Sequence, residues 1–375
     1  MGNTVKTIHK VLFKDARDMR EIPDKSVDLM VTSPPYPMIA MWDDIFSKQN
    51  PAIGEMLRKG DGCRAFELMN KELDKVWAQV YRVLKDGGFA CINIGDATRT
   101  ISGEFKLYPN HSRILKCCLK LGFSPLPEIL WRKQTNAPNK FMGSGMLPAG
   151  AYVTLEHEFV LILRKGNKRK FIDPKEKLRR QESAFFWEER NEWFSDVWED
   201  LKGTKQNNID KTIRDRSGAF PFELPYRLIN MFSLKEDTVL DPFLGTGTTA
   251  IASMATGRNS IGFEIDPNFI DHVFARFGNI VDFSNQQLEN RLRKHLAFAR
   301  ERAKTHGGLG YTSKYYGFPV MTRQEIEIFF DELSKIEVNN NAVEVDYKER
   351  ATMSFENGEL ERKKQAVIEQ LDVTC

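Results

Sequence analysis

Two short stretches hold the residue types that can carry chemistry. Thr32-Ser33-Pro34-Pro35-Tyr36 places a hydroxyl, two ring-locked residues and an aromatic face directly behind the apolar run Val27-Asp28-Leu29-Met30-Val31. Such a strand end is where α/β enzymes keep catalytic groups. Consecutive prolines fix φ, so the Ser33 hydroxyl and the Pro34 carbonyl are held at a set separation. Tyr36 offers a flat surface for a planar ring. An exocyclic aromatic amine is a poor nucleophile because its lone pair is delocalised into the ring. Two acceptors gripping its N–H bonds bias the nitrogen toward a tetrahedral geometry and localise that pair. In-line attack on a sulfonium methyl then becomes feasible, with positioning and electrostatics supplying most of the acceleration.

The second stretch, Asp241-Pro242-Phe243-Leu244-Gly245-Thr246-Gly247-Thr248-Thr249, follows the strand-like Thr238-Val239-Leu240. Gly245 and Gly247 let backbone amides close on a ligand at a helix N-terminus, which favours an anion such as a carboxylate. Glu264 ends the next strand, where an acid can accept both hydroxyls of a ribose. The loop lacks the third glycine and the lysine of phosphate-binding motifs, which argues against NAD and ATP. Either stretch alone also fits a plain turn. Their combination, with the chemistry loop ahead of the glycine loop, is what carries weight.

The elements that position these loops alternate. Residues 11–13 and 27–31 read as strands, and residues 67–84 as a helix with Leu68, Leu73, Val76, Val80 and Leu84 on one face, stopped by Asp86-Gly87-Gly88. A buried strand over 89–94, a helix over 111–121 ended by Gly122, and strands at 129–131 and 159–163 follow. After a basic and then aromatic interval, the pattern resumes with a helix near 224–232, a strand at 238–241, a helix over 248–256 ended by Gly257, and a strand at 260–265. This alternation predicts an α/β fold with a mostly parallel sheet covered by helices on both faces. Beyond residue 279 the chain reads as a charged helix and then as irregular.

Composition is that of a soluble globular protein: 41% hydrophobic, 29% charged, net charge +3 over 375 residues. No apolar run approaches the roughly 18 residues of a membrane span. MGNTVKTIHK lacks a signal core, so a cytoplasmic location is expected. Cys63, Cys91, Cys117, Cys118 and Cys375 show no metal-ligand spacing and suit a reducing compartment. His157, between Glu156 and Glu158, reads as a strand-edge histidine, and no metal is expected.

Together the two loops resemble those of the amino-methylating DNA methyltransferases that use S-adenosylmethionine, in their circularly permuted β group. The resemblance covers most of residues 11–278. It extends to Phe13-Lys14-Asp15-Ala16 with Ser26-Val27-Asp28-Leu29, to Gly122-Phe123 with Ile129-Leu130-Trp131-Arg132-Lys133 and Asn136-Ala137-Pro138, to Glu156-His157-Glu158-Phe159 with Arg164-Lys165, and to Phe220-Pro221 with Leu224-Pro225. The resemblance implies a Rossmann-like methyltransferase fold, circularly permuted, with an inserted target-recognition region and a helical C-terminal extension. It implies that Ser33, Pro34, Pro35 and Tyr36 bind and stack an extruded base. It implies that Asp15, Phe220, Pro221, Asp241, Pro242, Phe243, Gly245, Gly247, Thr248 and Glu264 hold S-adenosylmethionine.

Members with serine first mostly methylate cytosine N4, whereas adenine N6 enzymes more often carry aspartate. The expectation is therefore cytosine N4, with adenine N6 as the alternative. Cytosine C5 methylation would need a cysteine nucleophile, usually after proline, and no Pro-Cys pair exists.

In residues 164–180 nine basic residues face two acidic ones. Their position between family motifs suggests that Lys165, Lys168, Arg169, Lys170, Arg179 and Arg180 contact phosphate; a solvated basic face is the alternative. The segments at 37–62 and 139–150 are also able to approach DNA. The organisation implied is residues 1–165 with the catalytic loop, 166–216 as target-recognition region, 217–279 with the cofactor loop, and 280–375 as an extension of unassigned role. The implied partners are double-stranded DNA and a cognate restriction endonuclease in a bacterial or archaeal system, with a homodimer as a further option. RNA or protein amines are disfavoured because those enzymes carry Asn-Pro-Pro-Tyr after the cofactor loop, and intact loops argue against a non-catalytic DNA-binding module.

Overall fold

A computed structural model of the chain describes residues 6–133, 143–201, 220–339, 341–348, 353–356 and 359–362. The strands are β1 (Lys6–Leu12), β2 (Val27–Thr32), β3 (Leu84–Ile94), β4 (Ala97–Ile101), β5 (Glu104–Tyr108), β6 (Phe123–Pro125), β7 (Ile129–Arg132), β8 (His157–Lys165), β9 (Val197–Trp198), β10 (Thr238–Asp241), β11 (Asn259–Phe263), β12 (Tyr311–Thr312), β13 (Pro319–Val320), β14 (Leu333–Asn339), β15 (Ala342–Tyr347), β16 (Met353–Glu356) and β17 (Glu359–Arg362). One sheet runs in the order β14-β15-β1-β11-β10-β2-β3-β8-β7-β9, with β6 paired to β8. Its centre, β1-β11-β10-β2-β3, is parallel throughout. β8 runs antiparallel to β3, and β7 antiparallel to β8.

The central strands are apolar on both faces because helices cover both. Met30 of β2 and Ala90, Ile92 and Ile94 of β3 pack with Met69, Leu73, Val76 and Trp77 of the helix Gly62–Val83. Leu29, Val31 and Cys91, at the alternate positions, pack with Leu224, Leu228 and Ile229 of the helix Glu223–Phe232. Fully burying one such aliphatic side chain stabilises by about 1.5–3 kcal/mol. Asp61 caps the long helix by accepting from Arg64 N at 3.0 Å, and Gly122, at φ 103°, ends the helix Asn110–Leu121.

The extension was expected to be helical and then irregular, and only its first part is so. The helix Ile280–His306 is followed by β14 and β15, which add to the open edge of the sheet with β15 antiparallel to β1. A buried polar chain seals this junction. His9 lies between Thr7 Oγ1 and Ser260 Oγ, 2.8 Å from each, and the Tyr347 hydroxyl donates to Met254 O at 2.7 Å.

The aromatic interval before residue 198 belongs to the scaffold as well. Phe186 stacks on His295 at 3.7 Å, and Arg291 holds Glu189 at 2.6 Å. Phe186, Trp193 and Trp198 are buried. This part of the expected target-recognition region packs against the helix Ile280–His306.

Candidate active site

β10 and β2 are adjacent and parallel, but the chain leaves them in opposite directions: β10 leads to β11 on one side, β2 to β3 on the other. Their carboxyl ends therefore flank the crevice where open α/β sheets bind ligands. Ser33 follows the last residue of β2, and Asp241 ends β10. The Thr32 hydroxyl donates to Asp241 Oδ1 at 2.5 Å, tying the two loops together.

On the catalytic side, Ser33 and Tyr36 are half-buried and Pro34 is buried. The loop closes with Met38 at φ 70°, a left-handed backbone whose N–H rests on Met69 Sδ at 3.4 Å. Asn110, fully buried, donates to Pro37 O at 3.1 Å and Gly95 O at 3.0 Å, pinning the loop to the end of β3. Ser33 Oγ lies 3.1 Å from the Tyr36 hydroxyl, which donates to Glu158 Oε2 at 2.9 Å. Asn93 Nδ2 donates to both Tyr36 and Glu158, at 3.0 and 2.6 Å, and Lys133 Nζ pairs with Glu158 Oε1. Asn93 Oδ1 has no hydrogen-bond partner among the described residues, leaving a buried acceptor in the site. Burial, and then the Glu158 charge, push the Tyr36 phenol well above its ordinary pKa, so it stays a donor. A side chain at position 95 would put Cβ 3.0 Å from Tyr36 Cε2, which is why glycine stands there.

On the cofactor side, Gly245 and Gly247 have φ of 52° and 81°, and the helix Thr248–Ala255 starts behind them. Glu264 Oε2 accepts from Gly245 N at 2.8 Å and Oε1 from Asp266 N at 2.9 Å. Burial raises the pKa of this carboxyl. Arg276 donates to Thr246 O and Oγ1 at 2.6 Å and to Thr248 Oγ1 at 3.2 Å, bracing the loop from the next helix. Phe243 meets the Trp77 ring edge-on at 5.9 Å.

Asp241 and Pro242 are buried, and the Asp241 carboxylate faces Thr32 and Phe243 N, so it shapes the loop. Phe220 and Pro221 are buried at the entry to the helix Glu223–Phe232. Asp15, past the end of β1 and thus beside the β11 edge, is gripped by Arg17, which also reaches Glu72.

Expectation and structure part over the basic run. β8 pairs antiparallel with β3, Ile94 opposite Phe159 and Phe89 opposite Arg164, so β8 starts at the catalytic end and finishes at the opposite one. Lys165 is buried there and donates to Tyr81 O at 2.5 Å and Leu84 O at 2.7 Å, satisfying the end of the helix Gly62–Val83. Arg169 bonds Asp237 at 2.8 Å and lies 3.6 Å from Asp28; Arg179 lies 3.5 Å from Asp237. Asp28 is near the start of β2 and Asp237 immediately precedes β10, which puts Asp28 roughly 16 Å below Ser33 by five residue rises of about 3.3 Å. Lys168, Lys170 and Arg180 are exposed, but on this same end. Lys165, Arg169 and Arg179, expected to contact phosphate, are thus engaged in capping and bracing the end of the sheet opposite the catalytic loop.

The segment at 143–156 and the residues following β9 emerge at the catalytic end, because β7 and β9 run parallel to β3. Residues 136–138 and 202–216 of the expected motifs lie outside the described residues. His157 is exposed opposite Arg132, and no group of three His, Cys, Asp or Glu suited to a metal ion occurs among the described residues. No described helix is long and apolar enough to cross a membrane.

Residues 27–275 match the N6/N4 methylase family, described as DNA methylase. The chain belongs to that family. Among relatives, this DNA methylase is 51% identical over 348 residues to the Type II methyltransferase M.MthZI of Methanothermobacter thermautotrophicus, covering 92% of this chain and 96% of that one. It is 53% identical over 277 residues to the Type II methyltransferase M.MjaI of Methanocaldococcus jannaschii, covering 71% and 90%. Its fold is similar to that of TTHA0409 from Thermus thermophilus, a provisionally identified DNA modification methylase crystallised with S-adenosyl-L-methionine. That likeness has a TM-score of 0.57 and 32% identity, over 73% of this chain and 96% of the other.

Proposed function

We propose that this DNA methylase is a Type II modification enzyme that transfers the methyl group of S-adenosylmethionine to N4 of a cytosine extruded from duplex DNA. The residues present fit the cofactor. A Cβ built on Gly245 meets only Phe243 O, at 3.9 Å, so that face of the loop is open beside the Glu264 carboxylate. The open face over Gly245 and Gly247 would admit the cofactor, Glu264 would accept the ribose hydroxyls, and Phe220-Pro221 would form the flank. Asp15, held by Arg17, would border the adenine. Bound there, the cofactor would supply an electrophilic sulfonium methyl.

The chain's own residues do the rest. Tyr36 stacks the extruded base, which offsets part of the few kcal/mol that extrusion costs. Ser33 Oγ and the Pro34 carbonyl accept the two N–H bonds of the amine and turn its lone pair toward the methyl. The observation that carries the reading is the Thr32–Asp241 hydrogen bond, which sets the Ser33 loop against the glycine loop. Ser33 at the head of the loop, as in the members with serine first that mostly methylate cytosine N4, supports N4 of cytosine, with N6 of adenine as the alternative. A cognate endonuclease cutting the same site would be the other half of the system.

Incubation with duplex DNA and S-adenosylmethionine labelled in its methyl group tests the enzyme reading. Label is expected in the DNA, with inhibition by S-adenosylhomocysteine. Unlabelled DNA from a protein that binds the cofactor would contradict it.

A further inference from the structure

Glu158 lies outside every role assigned above, yet three donors converge on its carboxylate. The residue is 8% exposed and receives Tyr36, Asn93 and Lys133. A buried carboxylate is costly unless paired and hydrogen-bonded. Its ionic partner, Lys133, keeps a side chain 39% exposed and is itself drawn over the Trp131 ring at 4.7 Å. β8 and β3 together bring this charge to the one place where it touches the catalytic loop.

We propose that Glu158 is a positioning residue for methyl transfer, acting on Ser33 through the Tyr36 hydroxyl. The inference rests on the methyltransferase reading above and deepens it. The direction of the chain follows from what each group can do. An ionised carboxylate only accepts, so the Tyr36 hydroxyl must donate to Glu158. The phenol oxygen then accepts from Asn93 Nδ2 at 3.0 Å and from the Ser33 hydroxyl at 3.1 Å. With its own proton committed to Tyr36, Ser33 Oγ turns lone pairs outward, toward an amine N–H. Charge-assisted hydrogen bonds in series polarise one another. The serine oxygen thereby gains part of the accepting strength that an aspartate would bring directly.

The same chain disposes of the proton. Once the new N–C bond forms, the nitrogen carries one proton too many. That proton passes to Ser33 Oγ as the Ser33 proton moves to Tyr36 and the Tyr36 proton to Glu158 Oε2. Serine and tyrosine end neutral, and Glu158 ends as a carboxylic acid that returns its proton to solvent.

The test compares wild type, Glu158→Gln, Tyr36→Phe and the double variant. Glutamine keeps the shape and an acceptor but not the charge; phenylalanine keeps the stacking ring but not the hydroxyl. Each single change is expected to lower kcat on duplex DNA about 100-fold or more. S-adenosylmethionine affinity and KM for DNA should stay within a few-fold of wild type, which a merely structural role would not predict. The double variant should be no slower than the worse single one, because both break the same chain. Wild-type turnover by Glu158→Gln, or losses that multiply in the double variant, would overturn the proposal while leaving the methyltransferase reading intact. A wild-type protein that methylates no DNA would instead remove that reading, and this inference with it.

Discussion

The Thr32 hydroxyl sits 2.5 Å from Asp241 Oδ1, joining the last residue of the catalytic strand to the last residue of the cofactor strand. Both residues are buried, and burial raises the pKa of the Asp241 carboxyl. Thr32→Val keeps the shape and removes the donor, leaving a buried acceptor under-satisfied at a cost of about 1–3 kcal/mol. Denaturant unfolding should show that loss, and S-adenosylmethionine affinity and kcat should fall together. Thr32→Ser retains the hydroxyl and should behave nearly as wild type.

The two glycines of the cofactor loop should fail differently. A Cβ at Gly247 comes 3.2 Å from the Phe277 ring in a backbone with φ 81°, so Gly247→Ala should lose about 1–2 kcal/mol of stability or more. At Gly245 the methyl would enter open space, so Gly245→Ala should cost less stability but obstruct the cofactor. Thermal unfolding with and without S-adenosylmethionine separates the two: the ligand-induced rise in Tm should shrink most in Gly245→Ala.

The basic run at 164–180 should contribute little to DNA binding. Changing Lys168, Lys170 and Arg180 together to alanine should leave the slope of log K against log salt unaltered, whereas a residue that neutralises a phosphate would make it shallower by about 0.9 on removal. Lys165→Met should destabilise the fold by about 1–3 kcal/mol, through carbonyls left without a donor, at unchanged DNA affinity per folded molecule.

Much of this was legible in the sequence, and the failures have physical causes. Both loops and their strands were readable because glycine, proline and apolar runs punctuate locally: Gly122 closes its helix, and β2 and β10 lead straight into the loops. Strand direction is not local. Nothing within residues 157–165 says that β8 runs against β3, and that reversal is what carries Lys165 and Arg169 to the floor of the sheet. The strand β15 depends on pairing with β1, more than three hundred residues earlier by the Lys6–Asp346 register, and so reads as irregular. Glu158 stood among residues resembling family motifs, but its contact with Tyr36 exists only once β3 and β8 are paired.

His9 gives a pH prediction. Burial lowers its pKa to about 3, whereas an unfolded chain would hold it near the ordinary value of about 6.5. The unfolded state therefore binds the proton first, and stability falls as pH drops from about 6.5 toward 3. At pH 4.5 the loss is about 3 kcal/mol, from two pH units at 1.36 kcal/mol each. His9→Gln should flatten this part of the profile, measured by urea unfolding at successive pH values.

The central claim is that the Ser33 loop, set beside the glycine loop, methylates the N4 amine of cytosine in duplex DNA. Mass analysis of nucleosides from DNA treated with the protein and S-adenosylmethionine tests this most directly. The account predicts N4-methyldeoxycytidine from wild type and none from Ser33→Ala that still binds the cofactor. N6-methyldeoxyadenosine in its place, or undiminished product from Ser33→Ala, would contradict it.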